Sequence, residues 1–328
     1  MKKGAAQLNI GRLFRAAAEG QQQSLEDEDF LRAVAESGGQ QWDPFRSWIP
    51  LTELRTMTTS SGSKGGYAVG LDVEAPEHSM RGWSVAVASG ATLITNLDAN
   101  VTIPYTATNP TAGWIGESGS GQSDSTPALG SASLVQRTGI AIVNFPIQLI
   151  RQSKHAGPFI KTALQIAVGE LLDTAYFAGT GGAQPLGMLT TQGIGSQSGT
   201  SLAYAGILAM RKTVLNAGAQ ESALQWVGHP GTQELLASRE RATGGGRFLW
   251  DDGRIYGEVA HATKTAPAST LICGDFSKSV IGIFGPGVRI DIDPTQNFNT
   301  AGLTARCMLF CDVSFPRPNA FCVSSSIT

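Results

Sequence analysis

Between Asn100 and Gln136 the chain carries a stretch that a compact domain absorbs poorly. A short alternating segment, Val101 to Thr106, leads into a run dominated by Gly, Ser, Pro and Thr, and order is expected again from Ala132 to Val143. Connections inside compact domains have a median of about 4–6 residues, and much longer ones are either functional or disordered. In the first segment Val101, Ile103 and Tyr105 alternate with Thr102, Pro104 and Thr106, which is the period of a strand with two unlike faces. The spacing predicts a long two-stranded excursion with an irregular tip. Alone in water such a hairpin is at best marginally stable, so it needs something outside itself to lie on.

The clearest helix follows. Pro158 suits a first turn, and apolar pairs recur at Phe159/Ile160, Ala163/Leu164, Ala167/Val168 and Leu171/Leu172, with Gly179 placed as a C-cap. Gly179 to Gly187 then reads as a tight turn. Its glycines lack dinucleotide-binding spacing, since position 184 is Gln, and they end a helix where a phosphate cradle would begin one. Beyond it, helices are expected over Tyr204 to Ala217 and Pro230 to Arg241. Strands are expected over Gln225 to Gly228, Thr270 to Gly274, Val280 to Phe284, Val288 to Ile292, Leu303 to Phe315 and Ala320 to Ser324. The fold class is mixed α+β, with no internal repeat and no heptad array.

Ahead of the excursion, Met1 to Arg55 carries 7 basic and 8 acidic residues and two short amphipathic helical patterns, Leu8 to Ala18 and Ser24 to Ala35, with Ser24 and Asp27 as N-cap and partner. Trp42, Pro44, Phe45, Trp48 and Ile49 follow without helical or strand period. So many aromatics in so short a stretch suggest an arm pinned to another surface, and the plainer reading is a small helical subdomain on its own chain. Thr58 to Gly66 is a flexible connector by composition.

No motif in the sequence carries a recognisable catalytic or metal-binding pattern. The net charge of −2 lacks the basic excess of a dedicated nucleic-acid binder, so any DNA contact is expected to be weak and nonspecific. No run of 18 apolar residues and no secretory segment is present, so neither a membrane nor an export route is expected. Metal binding is not expected from His78, His155, His229 and His261, which are widely spread. Gly116 to Gly121 superficially resembles a serine nucleophile elbow but lacks the glycine two residues after Ser118 and the strand-turn-helix setting. Asp251-Asp252 and Asp291 with Asp293 read as solvated turns and strand faces rather than a cation site. Cysteines stand at 273, 307, 311 and 322 among apolar neighbours. Cys307 and Cys311, four apart in a strand, lie about 13 Å apart, too far for a disulfide, so buried free thiols are expected.

Four stretches, in order, resemble the major capsid proteins of tailed phages, the Hong Kong 97-type fold, across residues 57–328. They are Trp114 to Glu117 with Pro146 to Ser153; Tyr176 to Gly181 with Gln184 to Met188; Trp226 to Thr232 with Arg247 to Trp250; and Gly274 to Ser277, Asp293-Pro294, Asn297-Phe298 and Arg317 to Phe321. The resemblance implies an N-terminal arm with a helical segment over 1–78 and a peripheral domain over 79–203, containing a spine helix at 157–178 and an extended loop at 100–136. It further implies an axial domain over 204–284, a peripheral β segment over 285–312 and a return strand into the axial domain over 313–328. Pentamers and hexamers would tile an icosahedral shell around double-stranded DNA, made in the host bacterial cytoplasm, with portal and scaffold or maturation-protease partners. Residues before 57 resemble the variable region where relatives carry a scaffolding segment or fused protease, of which this chain has at most a short helical remnant, and the resemblance leaves its cleavage open.

Some relatives cross-link an extended-loop lysine to an asparagine of a neighbour. Residues 100–136 contain no lysine, so although Asn297 and Asn299 lie near the acceptor position, no covalent mesh is expected. Expected inter-subunit contacts are Trp42, Phe45 and Trp48 on the arm, Trp114 and Ile115 as apolar anchors of the loop, and Asn297 and Phe298. Glu117 and Asp124, the loop's only charges, would meet a basic site at Arg151, Lys154 and Lys161 of the adjacent copy, adding about 0.2–1 kcal/mol per ion pair. Alternatives are an encapsulin-type compartment shell, distinguished by protein cargo; a hydrolase, distinguished by turnover; and a DNA-binding module, distinguished by a steep salt dependence. No cofactor is expected.

Overall fold

The computed structural model describes residues 46–50, 84–106, 129–147, 156–242, 244–293 and 302–328. In chain order the elements are β1 (Arg46–Pro50), α1 (Val85–Ala88), β2 (Thr92–Leu97), β3 (Val101–Thr106), β4 (Leu129–Leu134), β5 (Arg137–Pro146) and α2 (Ala156–Ala178), then β6 (Gly195–Ser198), α3 (Tyr204–Asn216), β7 (Leu224–Gly228) and α4 (Pro230–Ala237). They end with β8 (Arg254–Ile255), β9 (Glu258–Ala262), β10 (Leu271–Asp275), β11 (Val280–Asp293), β12 (Gly302–Ser314) and β13 (Phe321–Ser325). Helices and strands are mixed as expected.

The strands form three sheets. One runs β1-β11-β12-β5, with β2 alongside β11; a second runs β6-β13-β10-β7-β9-β8; the third is β3 with β4 alone. In α2, Ile160, Leu164, Val168, Leu172 and Tyr176 recur every four residues and are buried, a stripe along one helix face. They pack on the alternate residues Leu303, Ala305, Cys307, Leu309, Cys311 and Val313 of β12. At about 1.5–3 kcal/mol for each fully buried aliphatic side chain, this contact holds helix and sheet together. On β11 the inward residues are Ile281 and Ile283, then Val288 and Ile290. The change of parity comes from a bulge, since β11 advances from Ile283 to Val288 while β12 moves only from Cys311 to Leu309. Two separate expected strands are therefore one kinked strand.

The middle of the six-stranded sheet is buried on both faces. The cross-strand row Cys322, Cys273, Trp226 and Ala260 faces the core under α3, with Ile207, Met210 and Val214, whereas Val323, Ile272 and Val227 belong to the α2 core. The turn after α2 is as tight as its glycines suggest: a side chain on Gly179 would lie 2.2 Å from the Pro185 carbonyl oxygen. The Gly187 amide donates to the Gly179 carbonyl at 2.9 Å, closing the turn.

Other expectations change as well, and Arg46–Pro50, read without strand period, is the strand β1 paired with β11. The returning segment is not one strand from Ala132 to Val143 but two, β4 and β5, broken at Val135-Gln136 and assigned to different sheets. Helix α4 also stops at Ala237 rather than Arg241. There the Arg239 guanidinium donates to the Leu202 carbonyl at 2.8 Å and also to the Thr328 carbonyl, tying the chain beyond the helix to other segments.

Candidate functional site, an assembly surface

The β3–β4 hairpin is built from six opposed pairs, Val101 with Leu134 through Thr106 with Leu129. Its two ends differ. At the base Leu134 is fully buried against β11, where Gly282 makes room: a Cβ there would come within 2.8 Å of the Leu134 side chain. At the far end Leu129 is 76% exposed. Tyr105 lies close over Gly130, and Tyr105 and Thr106 border a cleft of about 290 Å³ shared with Ala217, Gly218, Pro316 and Pro318.

A buried carboxylate fixes the base. Asp312 of β12 accepts from the Val135 amide at 2.8 Å and from the Arg137 guanidinium at 2.5 Å, while the Gln136 amide donates to Asn100 Oδ1 at 3.1 Å. Arg137 Nε also donates to the Gly182 carbonyl at 3.0 Å, so one side chain joins hairpin base, β12 and the turn after α2. A charge-assisted bond of this kind is about twice as strong as a neutral one. The hairpin therefore leaves the body from a rigid root.

β5 is the edge of its sheet. Its outward residues include Ile140, 49% exposed, and Ile142, 62% exposed, while Gly139 faces α2 so closely that a Cβ would meet Leu171 at 2.3 Å. Across the sheet Ile142 opposes Arg306, which opposes Asp291; Asp291 accepts from Arg306 at 2.6 Å and from Arg289 at 3.0 Å. The parallel row runs from Ile140 through Met308 and Arg289 to the position of Trp48. An apolar edge beside a paired-charge strip is the composition of a protein-binding face rather than of a catalytic cleft.

A second buried carboxylate roots the segment preceding the hairpin. Asp173 of α2 accepts from Ser84 Oγ at 2.5 Å and from the amides of Val85 at 2.8 Å and Ala86 at 3.1 Å. Burial pushes its carboxyl up from the usual range, against the pull of those donors. Next to it on the helix, the Tyr176 hydroxyl donates to Ser279 at 2.7 Å, and burial pushes that phenol up as well.

Of the residues singled out from sequence, Trp48 sits in β1 opposite Arg289 and Lys161 lies in α2. Trp42, Phe45, Trp114, Ile115, Glu117, Asp124, Arg151, Lys154, Asn297 and Phe298 lie outside the described residues, as does Ser118. Sequence reasoning missed Asp173, Asp312 and Arg137. Asp173 left a trace, an acid one residue past Leu172 and three before Tyr176, inside the buried stripe; Asp312 and Arg137, 175 residues apart, left none. Among the described residues no group of three or more His, Cys, Asp or Glu is placed to hold a metal ion, and no helix is long and apolar enough to cross a membrane.

Comparison with known proteins accounts for this arrangement. The model of the phage capsid family matches residues 84–325. The chain belongs to the phage capsid family. It is 26% identical over 277 residues to the major capsid protein of Halomonas phage phiHAP-1, an alignment covering 83% of this chain and 46% of that protein, so the chain spans about half the length of this curated relative. The capsid of a native GTA particle superposes with a TM-score of 0.62 at 17% identity, covering 82% of this chain and 99% of the other. The structure from Mycobacterium phage Adephagia superposes with a TM-score of 0.58 at 15% identity, covering 85% and 98%. The capsid family fold is the Hong Kong 97-type α+β architecture expected from the four sequence stretches.

Proposed function

We propose that this chain is the major shell subunit of a tailed-phage head, assembling with copies of itself into pentamers and hexamers of an icosahedral shell around double-stranded DNA. The observation that carries this reading is the asymmetry of the hairpin: a root fixed by Asp312, Arg137 and Leu134, and a far end that exposes Leu129 with, among the described residues, no third strand beside it. A rigidly mounted, unpaired two-strand ribbon gains stability when a neighbour covers it, and identical copies supply that neighbour. Contacts between unlike faces of adjacent copies close a ring when the rotation per copy divides the circle.

In this reading the domains follow the boundaries expected from the sequence, with 204–284 forming the ring-facing axial part and the spine helix belonging to the peripheral part. Trp114 and Ile115 would anchor the loop on the adjacent subunit, Glu117 and Asp124 would meet Arg151, Lys154 and Lys161, and Trp42, Phe45, Trp48, Asn297 and Phe298 would complete the contacts. Assembly would take place in the host bacterial cytoplasm with a portal and a scaffold or protease partner, and packaged DNA would touch the shell weakly. The subunit's role is structural rather than enzymatic.

Electron microscopy of the purified protein tests the reading. Closed shells are expected; a discrete small oligomer with catalytic turnover would exclude it. Reversal of Glu117 to Lys tests the landing site, with folded soluble subunits and impaired shells expected, and normal particles from that variant would remove it.

A further inference from the structure

Cys273 and Cys322 are directly opposed partners on the antiparallel strands β10 and β13. Opposed residues in such a ladder have Cα atoms about 4.5–5.5 Å apart and side chains on one face. That spacing falls inside the roughly 4.4–6.8 Å that a disulfide spans. Both residues are fully buried in the core under α3, and both thiols are free. The other two cysteines have no such partner: Cys307 lies between Ile290 and Ala141, and Cys311 between Ile283 and Arg137. One of the six possible pairs among the four cysteines is therefore in ladder register.

We propose that Cys273 and Cys322 form a latent disulfide site, closed by a small peroxide after the six-stranded sheet has formed. The chemistry needs no group beyond the oxidant. One sulfur attacks a peroxide oxygen, the O–O bond breaks, and the departing hydroxide takes the thiol proton to leave as water, giving a sulfenic acid. The second sulfur then displaces the hydroxyl from the first, an S–S bond forms, and a second water leaves. Two thiols lose two electrons in total and one peroxide is reduced to two waters.

Access decides the order of these steps. Neither sulfur is exposed, and burial pushes both thiols up, Cys322 to about 11, so the closed sheet is unreactive. Cys322 lies one strand in from the edge of the sheet. Its ladder neighbour on the other side is Gly195 of β6, a four-residue edge strand, and a Cβ on Gly195 would sit 3.4 Å from the Cys322 sulfur. Short edge strands open locally at low cost relative to the whole fold. Thr213 of α3 lies over Gly195 as well, so opening of this edge, β6 together with α3, reaches Cys322 first, which makes Cys322 the sulfur oxidised by peroxide and Cys273 the one that resolves it.

The bond would tie β13, which follows every other strand in the chain, to the middle of the sheet. Its timing rests on the shell reading, since a particle released from a reducing cytoplasm meets oxidants only afterwards; the geometry does not depend on it. The test uses the full chain, first imaged by electron microscopy to record its assembly state and then treated with graded hydrogen peroxide while folded. Remaining thiols are alkylated under denaturing conditions and peptides are mapped by mass spectrometry with and without reductant. The expected result is a reductant-sensitive peptide pair joining Cys273 to Cys322, with Cys307 and Cys311 still alkylated, and unfolding in urea slowed about tenfold or more after oxidation. A double Cys307→Ser, Cys311→Ser variant is expected to give the same pair. The inference fails if Cys273 and Cys322 stay free or over-oxidise singly, or if the pair arises only in protein unfolded before treatment. Intact shells lacking the bond would sink this inference alone; the bond in a small oligomer would sink the shell reading alone.

Discussion

The six-stranded sheet and the β3–β4 hairpin obey opposite rules. All five residues of β10 are buried, because the strand lies between two neighbours in its sheet and between two cores across its faces. In β3 and β4, exposed residues alternate with covered ones, and full burial is reached only at Ala132 and Leu134 near the root. The sheet completes itself within one chain. The hairpin is well formed but leaves its far end exposed, and if a neighbouring copy covers that end as proposed, substitutions in the two regions should differ in kind: the first should unfold the subunit, the second should leave the subunit intact and affect its association.

Trp226 gives the largest expected effect. It is fully buried in the sheet, and its indole N–H donates to Glu258 at 2.7 Å, so Trp226→Ala should cost about 3–5 kcal/mol and be seen as a large loss of thermal stability. If the subunit tolerated this change, the sheet would not be the self-sufficient region. Asp312→Ala is next. It leaves the partly exposed Arg137 and the Val135 amide without their acceptor, and about 2 kcal/mol of stability should be lost. Hydrogen exchange should speed up at Val135 while the six-stranded sheet stays protected; uniform loss of protection would mean that the root is not separable from the body.

Asp173 sharpens the comparison through pH. Its carboxyl is raised in the folded chain, so the folded state holds the proton more tightly than the unfolded one. The contribution to stability is then fully present below the unfolded value of about 3.8 and is lost as pH rises through the folded value. Asp173→Asn removes the titration, and the wild-type advantage over the variant should shrink as pH rises across that window in denaturant titrations. A difference independent of pH would show that burial does not govern this carboxyl. The smallest effect on stability belongs to Leu129→Ser, at under about 0.5 kcal/mol for the subunit. Sedimentation and electron microscopy should nonetheless show impaired assembly; unimpaired shells would mean that the exposed far end of the hairpin is not a contact.

Local pattern made the helices and most strands readable. The stripe from Ile160 to Leu172 and the glycine turn from Gly179 follow from spacing and backbone sterics alone, and both stand in the structure. The break at Val135-Gln136 was illegible because neither residue interrupts a strand by itself; it is set by Asp312, far away in sequence, capturing the Val135 amide. Similarly β6, Gly-Ser-Gln-Ser, has no strand pattern of its own and exists through parallel pairing with β13. The candidate surface was half legible. A hairpin needing support could be read from composition, whereas the apolar edge at Ile140 and Ile142 required knowing that β5 is the last strand of its sheet. The Cys273 and Cys322 pairing depended on sheet order in the same way.

That sheet order also bears on synthesis. β13 lies between β6 and β10, yet it follows both of them in the chain, and among the described residues β6 has no other strand partner. While the polypeptide is being made on the ribosome, the slot between those two strands stands empty and the core under α3 lacks a wall. The six-stranded sheet, and with it the wall of that core, is therefore completed only when the last of its strands pairs.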